Sequence, residues 1–159
     1  MNEPVIARDD PRRPDIAELL SIHLAFANEN SPPEDVHALD TDGLLSPNVS
    51  FYSVRDEGRL LGVGALKEID TGHGEIKSMH TARAARGQGV GRAMLDHLLA
   101  EARRRGYSRV SLETGTMEAF TAARALYEAT GFEVCPPFDG YRDSPNSVCM
   151  TLALASNLT

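Results

Sequence analysis

The sequence predicts a single α/β (α+β) domain in which strands dominate the first half and strands alternate with helices in the second. The length of 159 residues fits one domain. Strand-like runs fill much of residues 49–81, and two helical apolar stripes separated by a further strand-like run follow them. This order, strands first and then strand-helix-strand-helix-strand-strand, indicates one domain around one core.

The first predicted elements are a strand at Val5–Arg8 and a helix after it. We expect Asp15 to cap this helix, because a carboxylate accepts hydrogen bonds from the free N–H groups of a first turn. Pro32 and Pro33 are expected to end it, and a weaker helix is predicted over Glu34–Leu39. The apolar stripe of the first helix consists of Ile16, Leu19, Leu20, His23, Leu24 and Ala27.

Strands at Val49–Arg55 and Arg59–Ile69 are predicted to form a hairpin, because residues 56–58, Asp-Glu-Gly, are typical of a turn. A further strand is predicted at Glu75–Thr81. Strand alternation would place its residues on two faces, with Ile76, Ser78 and His80 on one and Glu75, Lys77 and Met79 on the other.

The second half begins with a helix predicted over Val90–Arg105, where arginines at the end suit the negative pole of the helix dipole. A buried strand at Arg109–Glu113 and a helix over Met117–Thr130 follow, the helix ended by the glycine after it. Final strands are predicted at Phe132–Cys135 and Ser147–Ala153. The stripe of the first of these helices is Val90, Met94, Leu95, Leu98, Leu99 and Ala102.

Composition and charge exclude several classes of protein. Hydrophobic residues make up 42% and charged residues 25%, which excludes disorder as the main state. A net charge of −7 disfavours nucleic acid and anionic membranes as partners. The run Leu60–Leu66 is far shorter than a membrane span. Because Met1–Asp15 lacks the apolar core of a signal peptide, we expect a cytoplasmic protein.

The two cysteines are too few for a disulfide framework or a four-cysteine zinc site. Cys135 and Cys149 are therefore predicted to be small buried hydrophobic residues. No metal is expected.

A glycine-rich turn between a predicted strand and the strongest predicted helix is suited to bind an anion. The backbone N–H groups of such a turn converge at the positive end of the helix dipole. The glycines remove side chains that would block close approach, and the flanking arginines add positive charge for a pyrophosphate. The turn consists of Arg86, Gly87, Gln88, Gly89, Val90, Gly91 and Arg92.

The sequence of this turn does not match two familiar phosphate-binding motifs. The pattern Gly-x-Gly-x-x-Gly would need glycine where Arg92 or Met94 stands, and the chain has no Gly-Lys dipeptide for a P-loop. The pattern Arg/Gln-x-x-Gly-x-Gly/Ala fits at Arg86, Gly89 and Gly91. A tight connection between strand and helix is the alternative interpretation.

The chain resembles the GNAT superfamily of acetyl-CoA-dependent N-acetyltransferases, whose pyrophosphate signature is this last pattern. Residues 75–81 resemble the family's fourth strand, and residues 123–132 resemble its later helix motif, with the Leu-Tyr and Gly-Phe pairs in place. The resemblance covers about Val5 to Leu154 and is strongest from Leu60 to Phe132.

This resemblance implies one domain over residues 1–159 with the GNAT fold. We therefore expect a central mixed, mostly antiparallel sheet of about six or seven strands, flanked by about four helices. Two neighbouring parallel strands should splay apart at the cofactor site. Acetyl-CoA is the implied co-substrate, and no metal is implied.

The family's cofactor contacts carry over by position. The pantetheine arm is expected on the backbone of Met79 and Thr81, as an added strand. An N–H group near Met79 or His80 should donate to the thioester carbonyl and stabilise the oxyanion. The glycine-rich turn, residues 86–92, should hold the pyrophosphate.

The resemblance also implies catalytic roles. Tyr127, in the Leu-Tyr pair, is expected to protonate the departing CoA sulfur; packing in the core is its alternative. Glu75 is a candidate base that takes the amine proton through water, and a salt bridge with Lys77 is its alternative. His80, expected on the opposite face from Glu75, is a second candidate base or a buried, hydrogen-bonded histidine.

One departure from the family concerns the pantetheine arm. Many members carry an asparagine seven residues before the tyrosine, and here Phe120 stands at that position. The amide contact is therefore lost or supplied elsewhere, with Thr121 as the candidate.

The acceptor is the least determined part. In the family it binds segments that correspond to about Phe26–Leu45 and Pro136–Asn146, where Asp35, Asp40, Asp42, Asp139 and Asp143 could attract a cation and Phe138, Tyr141 and Arg142 could line a pocket. We expect a small-molecule or amino-acid-like amine. A protein or peptide amine, a non-catalytic acetyl-CoA sensor, and hydrolysis or another acyl-CoA are the alternatives. The apolar final strands are compatible with a homodimer.

Overall fold

A computed structural model describes residues 3–31 and 41–154. Within these residues seven strands form one sheet: β1 Val5–Arg8, β2 Val49–Asp56, β3 Arg59–Asp70, β4 His73–Thr81, β5 Arg109–Gly115, β6 Glu133–Cys135 and β7 Ser147–Ala153. Four helices flank the sheet: α1 Pro14–Asn30, α2 Thr41–Leu44, α3 Val90–Arg104 and α4 Thr121–Thr130. No helix in the described part of the chain is long and apolar enough to cross a membrane.

The sheet has the strand order β1-β2-β3-β4-β5-β7-β6, and only β4 and β5 run parallel. Their pairing covers three positions, from His73 opposite Arg109 to Glu75 opposite Ser111. Beyond Glu75 the two strands separate. The expected mixed sheet with a splayed parallel pair is therefore confirmed.

Helices cover both faces of the sheet. The apolar stripe of α3 is buried throughout as predicted, and it forms one core together with α4 and the facing strand residues. Burial of each large apolar side chain in this core contributes about 1.5–3 kcal/mol to the free energy of folding. Gly64 of β3 lets α3 approach closely, because a Cβ there would lie 2.8 Å from Cγ of Met94. The second core joins α1 and α2 to the opposite face, through Ile16, Leu19, Leu20, Leu44, Val49, Phe51, Val63 and Ala65.

The predicted cap of the first helix is wrong. The N-cap is Arg13, which makes no side-chain cap hydrogen bond, and a proline follows it in the first turn. Asp15 instead accepts a hydrogen bond of 2.6 Å from Nη1 of Arg55 in β2. The helix ends at Asn30, while Pro32, Pro33 and the predicted helix over 34–39 lie outside the described residues.

The predicted helix over 117–130 is divided. A 3-10 turn at Glu118–Phe120 precedes α4, and Nη1 of Arg124 donates to the carbonyl oxygens of Gly115 at 2.7 Å and Met117 at 3.0 Å. These bonds tie α4 to the end of β5 and to the start of the 3-10 turn. The expected glycine C-cap is present, because Gly131 has a φ of 112°.

A β-bulge in β4 makes the predicted alternation of that strand wrong. Val63 opposes His80 and Ala65 opposes Lys77, so two steps along β3 match three along β4. Ser78 absorbs the extra residue with a φ of 56°. Because directly opposed residues share a face, Glu75, Lys77 and His80 face α1, whereas Ile76 and Met79 face α3.

Candidate active site

A cleft of about 700 Å³ opens where β4 and β5 separate. It is lined by both strands, by the start of α3, and by residues of α1 and α4. The splay interrupts the sheet, so side chains from both faces border one space. Glu75 reaches the cleft from the α1 face and Tyr127 from the α4 face.

The glycine-rich turn forms one end of this cleft. Gly87 and Gly89 have φ values of 78° and 81°, and a Cβ at either would meet no atom within 4 Å. The backbone conformation, not lack of space, therefore favours glycine at both positions. Gly89 is the N-cap of α3, and no side chain caps it.

The N–H groups of this turn are free to bind an anion. The first N–H groups of a helix have no partner within it, and the first bond here runs from the N–H of Ala93 to the carbonyl oxygen of Gly89 at 3.0 Å. Arg86 and Arg92 also line the cleft. Arg92 is exposed and lies 3.6 Å from Asp96. Such a cradle of N–H groups and arginines is suited to an anionic group such as a pyrophosphate.

The free edge of β4 continues from this turn. Its register with β5 ends at Glu75, so beyond that residue one edge of β4 faces the cleft instead of a strand. Met79 and Thr81 lie on this edge and line the cleft. An extended ligand can therefore pair with the β4 backbone as an added strand.

Tyr127 is buried in the wall of the cleft, with 8% of its surface exposed. Its ring packs edge-on against Phe132 at 5.8 Å between centroids. Burial raises its pKa to about 12. The phenol therefore carries its proton throughout the neutral pH range.

Glu75 lies at the centre of a buried polar cluster and is 1% exposed. The hydroxyl of Tyr141 donates to its Oε2 at 2.5 Å, and Nζ of Lys77 lies 3.2 Å from the same oxygen. Nζ of Lys77 also donates to the Tyr141 hydroxyl at 2.8 Å. Burial, and then the charge of Glu75, raise the pKa of Tyr141. Oε1 of Glu75 is buried and has no protein partner.

His80 shares the α1 face with Glu75, so the prediction that the two lie on opposite faces is wrong. Its Nδ1 is 3.1 Å from Nδ1 of His23, which the sequence placed only in the apolar stripe of α1. Burial, followed by the charges of His23 and Arg86, lowers the pKa of His80 to about 4. Burial also lowers the pKa of His23. Both imidazoles are therefore neutral at pH 7.

The ring of Phe120 forms an apolar part of the cleft wall. Its ring meets that of Phe26 edge-on at 5.4 Å, which joins α1 to the segment after β5 across the cleft. Gly115 must be glycine here, since a Cβ would collide with the Phe120 ring. Oγ1 of Thr121 accepts a hydrogen bond from Nη2 of Arg124 at 3.2 Å.

Of the predicted acceptor residues, Tyr141 lines the cleft. Phe138 packs on the Tyr141 ring at 5.1 Å, and Arg142 is exposed. Asp139 lies 3.6 Å from Lys67. Asp42, Asp139 and Asp143 do not line the cleft, and Asp35 and Asp40 lie outside the described residues.

Comparison with known sequences identifies relatives over nearly the whole chain. A model of the Acetyltransferase (GNAT) family matches residues 16–132. The N-acetyltransferase YsnE of Bacillus subtilis (strain 168) is 47% identical over 146 residues, covering 92% of this chain and 97% of that protein. The N-acetyltransferase YedL of Escherichia coli (strain K12) is 43% identical and covers 96% of each chain. The IAA acetyltransferase of Azospirillum brasilense is 36% identical, covering 94% of this chain and 97% of that protein.

Solved structures share the fold. An acyl-CoA N-acyltransferase of Klebsiella pneumoniae, described as putative, has a TM-score of 0.78 at 28% identity, covering 96% of this chain and 98% of the other. An acetyltransferase of Bacillus subtilis in complex with CoA has a TM-score of 0.73 at 17% identity, covering 96% and 100%. At the latter identity the similarity concerns the fold alone.

Proposed function

The chain belongs to the GNAT acetyltransferase family and is an acetyl-CoA-dependent N-acetyltransferase; on this premise we propose that it acetylates the primary amine of a small-molecule or amino-acid-like acceptor by direct attack. The observation that supports this acceptor is the buried, unpartnered Oε1 of Glu75 in the cleft. A buried carboxylate oxygen without a hydrogen-bond partner destabilises the folded protein. The acceptor amine, or a water that relays the amine proton, would supply that partner.

The walls of the cleft support a small acceptor. Phe26 and Phe120 meet across it, and Tyr141 covers Glu75. An acceptor must therefore reach a group that is 1% exposed through a partly closed opening. A slender amine does this with less rearrangement than a folded protein surface.

The co-substrate is held by backbone groups in this proposal. The amides of residues 87–91 bind the pyrophosphate, Arg86 and Arg92 add positive charge, and the free edge of β4 orients the pantetheine arm through Met79 and Thr81. Acetyl-CoA supplies the activated acetyl thioester. A backbone N–H near Met79 or His80 donates to its carbonyl oxygen, which stabilises the negative charge formed during attack.

Proton transfer at the amine is assigned to Glu75. A free primary amine has a pKa near 10.4 and is mostly protonated at pH 7, so it must lose a proton before it can attack. Oε1 of Glu75 takes this proton, directly or through water, while Tyr141 and Lys77 hold Oε2. His80, the second candidate base, is neutral at pH 7, because burial lowers its pKa to about 4.

Protonation of the departing CoA sulfur is assigned to Tyr127. The phenol keeps its proton at neutral pH, because burial raises its pKa to about 12. It can therefore donate that proton, or a hydrogen bond, to the sulfur as the bond to the acetyl carbon breaks. Tyr127 and Glu75 act from opposite sides of the gap between β4 and β5.

The test is thiol release from acetyl-CoA with a panel of amines, amino acids and peptides, with the acetylated product identified by mass spectrometry. We expect turnover with one class of small primary amine, reduced in Glu75→Gln and Tyr127→Phe. Asp143→Asn, an exposed change outside the cleft, is the matched control and should keep full rate. Turnover with peptides only would overturn the small acceptor. Tight acetyl-CoA binding without turnover on any amine would indicate a non-catalytic acetyl-CoA sensor instead of an enzyme.

A further inference from the structure

Strands β6 and β7 place the two cysteines directly opposite each other. Cys135 is the register partner of Cys149 in this antiparallel pair. Both are free thiols; Cys149 is 5% exposed and Cys135 is half-buried. The expectation of two buried hydrophobic residues therefore holds for Cys149 and is wrong for Cys135, because β6 is the edge strand of the sheet.

The geometry of this pair is compatible with a disulfide bond. Opposed residues of an antiparallel pair have Cα atoms about 4.5–5.5 Å apart, within the roughly 4.4–6.8 Å found in disulfides. Their side chains project from the same face. Burial raises the pKa of Cys149 to about 11, and the charge of Cys135 contributes to this rise, as expected for neighbouring thiols.

The pair stands at the base of the segment that reaches into the active site. Residues 136–146 connect the two strands and carry Tyr141 to Glu75. Cys135 immediately precedes this segment, and the backbone of Phe138 within it acts to lower the pKa of the Cys149 thiol, against the larger effect of burial. Cys149 also lies opposite Glu113 of β5. Glu113 and the residue after it, Thr114, line the cleft.

We propose that Cys135 and Cys149 form an intrachain disulfide on exposure to a peroxide, and that this bond clamps the base of the 136–146 segment. The proposal is independent of the identity of the acceptor amine. It assigns these thiols a reversible modification beside the active site, which the catalytic cycle does not require.

The reaction proceeds in two balanced steps. The thiolate of Cys135, the more exposed residue, attacks hydrogen peroxide; an S–O bond forms, the O–O bond breaks, and the products are a sulfenic acid and hydroxide. The hydroxide takes up the proton that the Cys135 thiol released, which gives one water. The sulfur of Cys149 then attacks the Cys135 sulfur, and the hydroxyl leaves with the Cys149 proton as a second water. Each sulfur is oxidised by one electron, and the two peroxide oxygens accept both electrons.

The rate should rise with pH. The thiolate is the nucleophile, and burial raises the pKa of both thiols above the usual value. We therefore expect disulfide formation to be slow at pH 7 and about ten times faster at pH 8 for the same peroxide concentration. Raising the pH by one unit increases a small thiolate fraction tenfold.

The test is mass spectrometry of the full chain after treatment with hydrogen peroxide, with free thiols blocked before digestion. We expect a cross-linked peptide pair containing residues 135 and 149, lighter by two hydrogens and restored by dithiothreitol. A matched pair of thermal melts should show a midpoint about 5 °C higher for the oxidised chain, because the bond restricts the unfolded state. Cys135→Ser, a change at a half-buried position, should abolish both effects.

Contrary outcomes are distinct. Sulfinic acid at Cys135 with Cys149 still blocked as a free thiol would overturn the proposal, as would a disulfide that joins two chains. The same rise of the midpoint in peroxide-treated Cys135→Ser would show that it has another origin. A failure of acetyl transfer would leave the mass spectra unaffected, so the two proposals are tested separately.

Discussion

The hydroxyl of Tyr141 donates a hydrogen bond of 2.5 Å to Oε2 of Glu75, although 66 positions separate the two residues along the chain. Lys77 approaches the same oxygen, so Oε2 is satisfied and Oε1 is left without a protein partner. The contact therefore decides which oxygen of the carboxylate is available in the cleft.

Tyr141→Phe should lower kcat/KM about tenfold. The phenylalanine keeps the ring but removes a hydrogen bond to a charged group, worth about 1.5–3 kcal/mol, and Glu75 loses a fixed orientation. Tyr107→Phe is the matched control, since its hydroxyl donates to Oε1 of Glu68 at 3.0 Å outside the cleft. Steady-state kinetics should show a loss only in the first variant; equal losses in both would refute a specific role for Tyr141.

Tyr127→Phe should lower kcat by about 100-fold, the scale of a lost general acid. The ring contact with Phe132 remains, so the thermal midpoint and the affinity for acetyl-CoA should change little. Rapid-quench or steady-state rates, together with calorimetric titration of CoA, separate the two effects. An unchanged kcat would show that Tyr127 only packs in the core and does not act as the acid.

Gly89→Ala should weaken acetyl-CoA binding and raise its KM. A φ of 81° disfavours a side chain by about 1 kcal/mol, and relief of this strain would move the N–H groups of the turn. Gly106→Ala is the control, because Gly106 has a φ of 79°, equally open surroundings and a position outside the cleft. Both variants should lose similar stability, but only the first should change KM.

The unfolding free energy should fall as the pH decreases from about 6.5 to 4. Burial lowers the pKa of His80 from 6.5 to about 4 and also lowers that of His23. The unfolded chain therefore binds protons that the folded chain does not, so protonation favours unfolding in this window. Chemical denaturation of His80→Gln should show a shallower pH dependence than the parent chain. An identical slope would contradict the assignment.

Below pH 4 the carboxylates should add to this loss. Hydrogen bonds donated by Arg104 are the largest cause that lowers the pKa of Glu101 to about 2, and the bond donated by Arg55 lowers the pKa of Asp15. These groups are ionised in the folded chain at pH values where the unfolded chain has begun to protonate them. Their stabilisation is therefore present above the usual carboxylate pKa and is lost as the pH falls below it.

Much of the fold could be predicted because it depends on neighbours along the chain. The stripe of α3 repeats every three to four residues, and six predicted positions are buried in one core. The positive φ values of Gly87 and Gly89 follow from the need for a tight entry into that helix. The motif at residues 86–91, the strand at residues 75–81 and the helix motif at residues 123–132 together indicated the family.

The tertiary structure decided everything that depends on how two distant segments align. The bulge at Ser78 arises from the register between β3 and β4, and it moves His80 to the face of Glu75. Asp15 accepts a hydrogen bond from Arg55 of β2 instead of capping its own helix. Cys135 lies opposite Cys149 only because β6 pairs with β7. Periodicity and backbone preference are local properties that a sequence displays directly. Register and side-chain pairing are set by the packing of the whole sheet, where a shift of one residue reverses the face of every side chain.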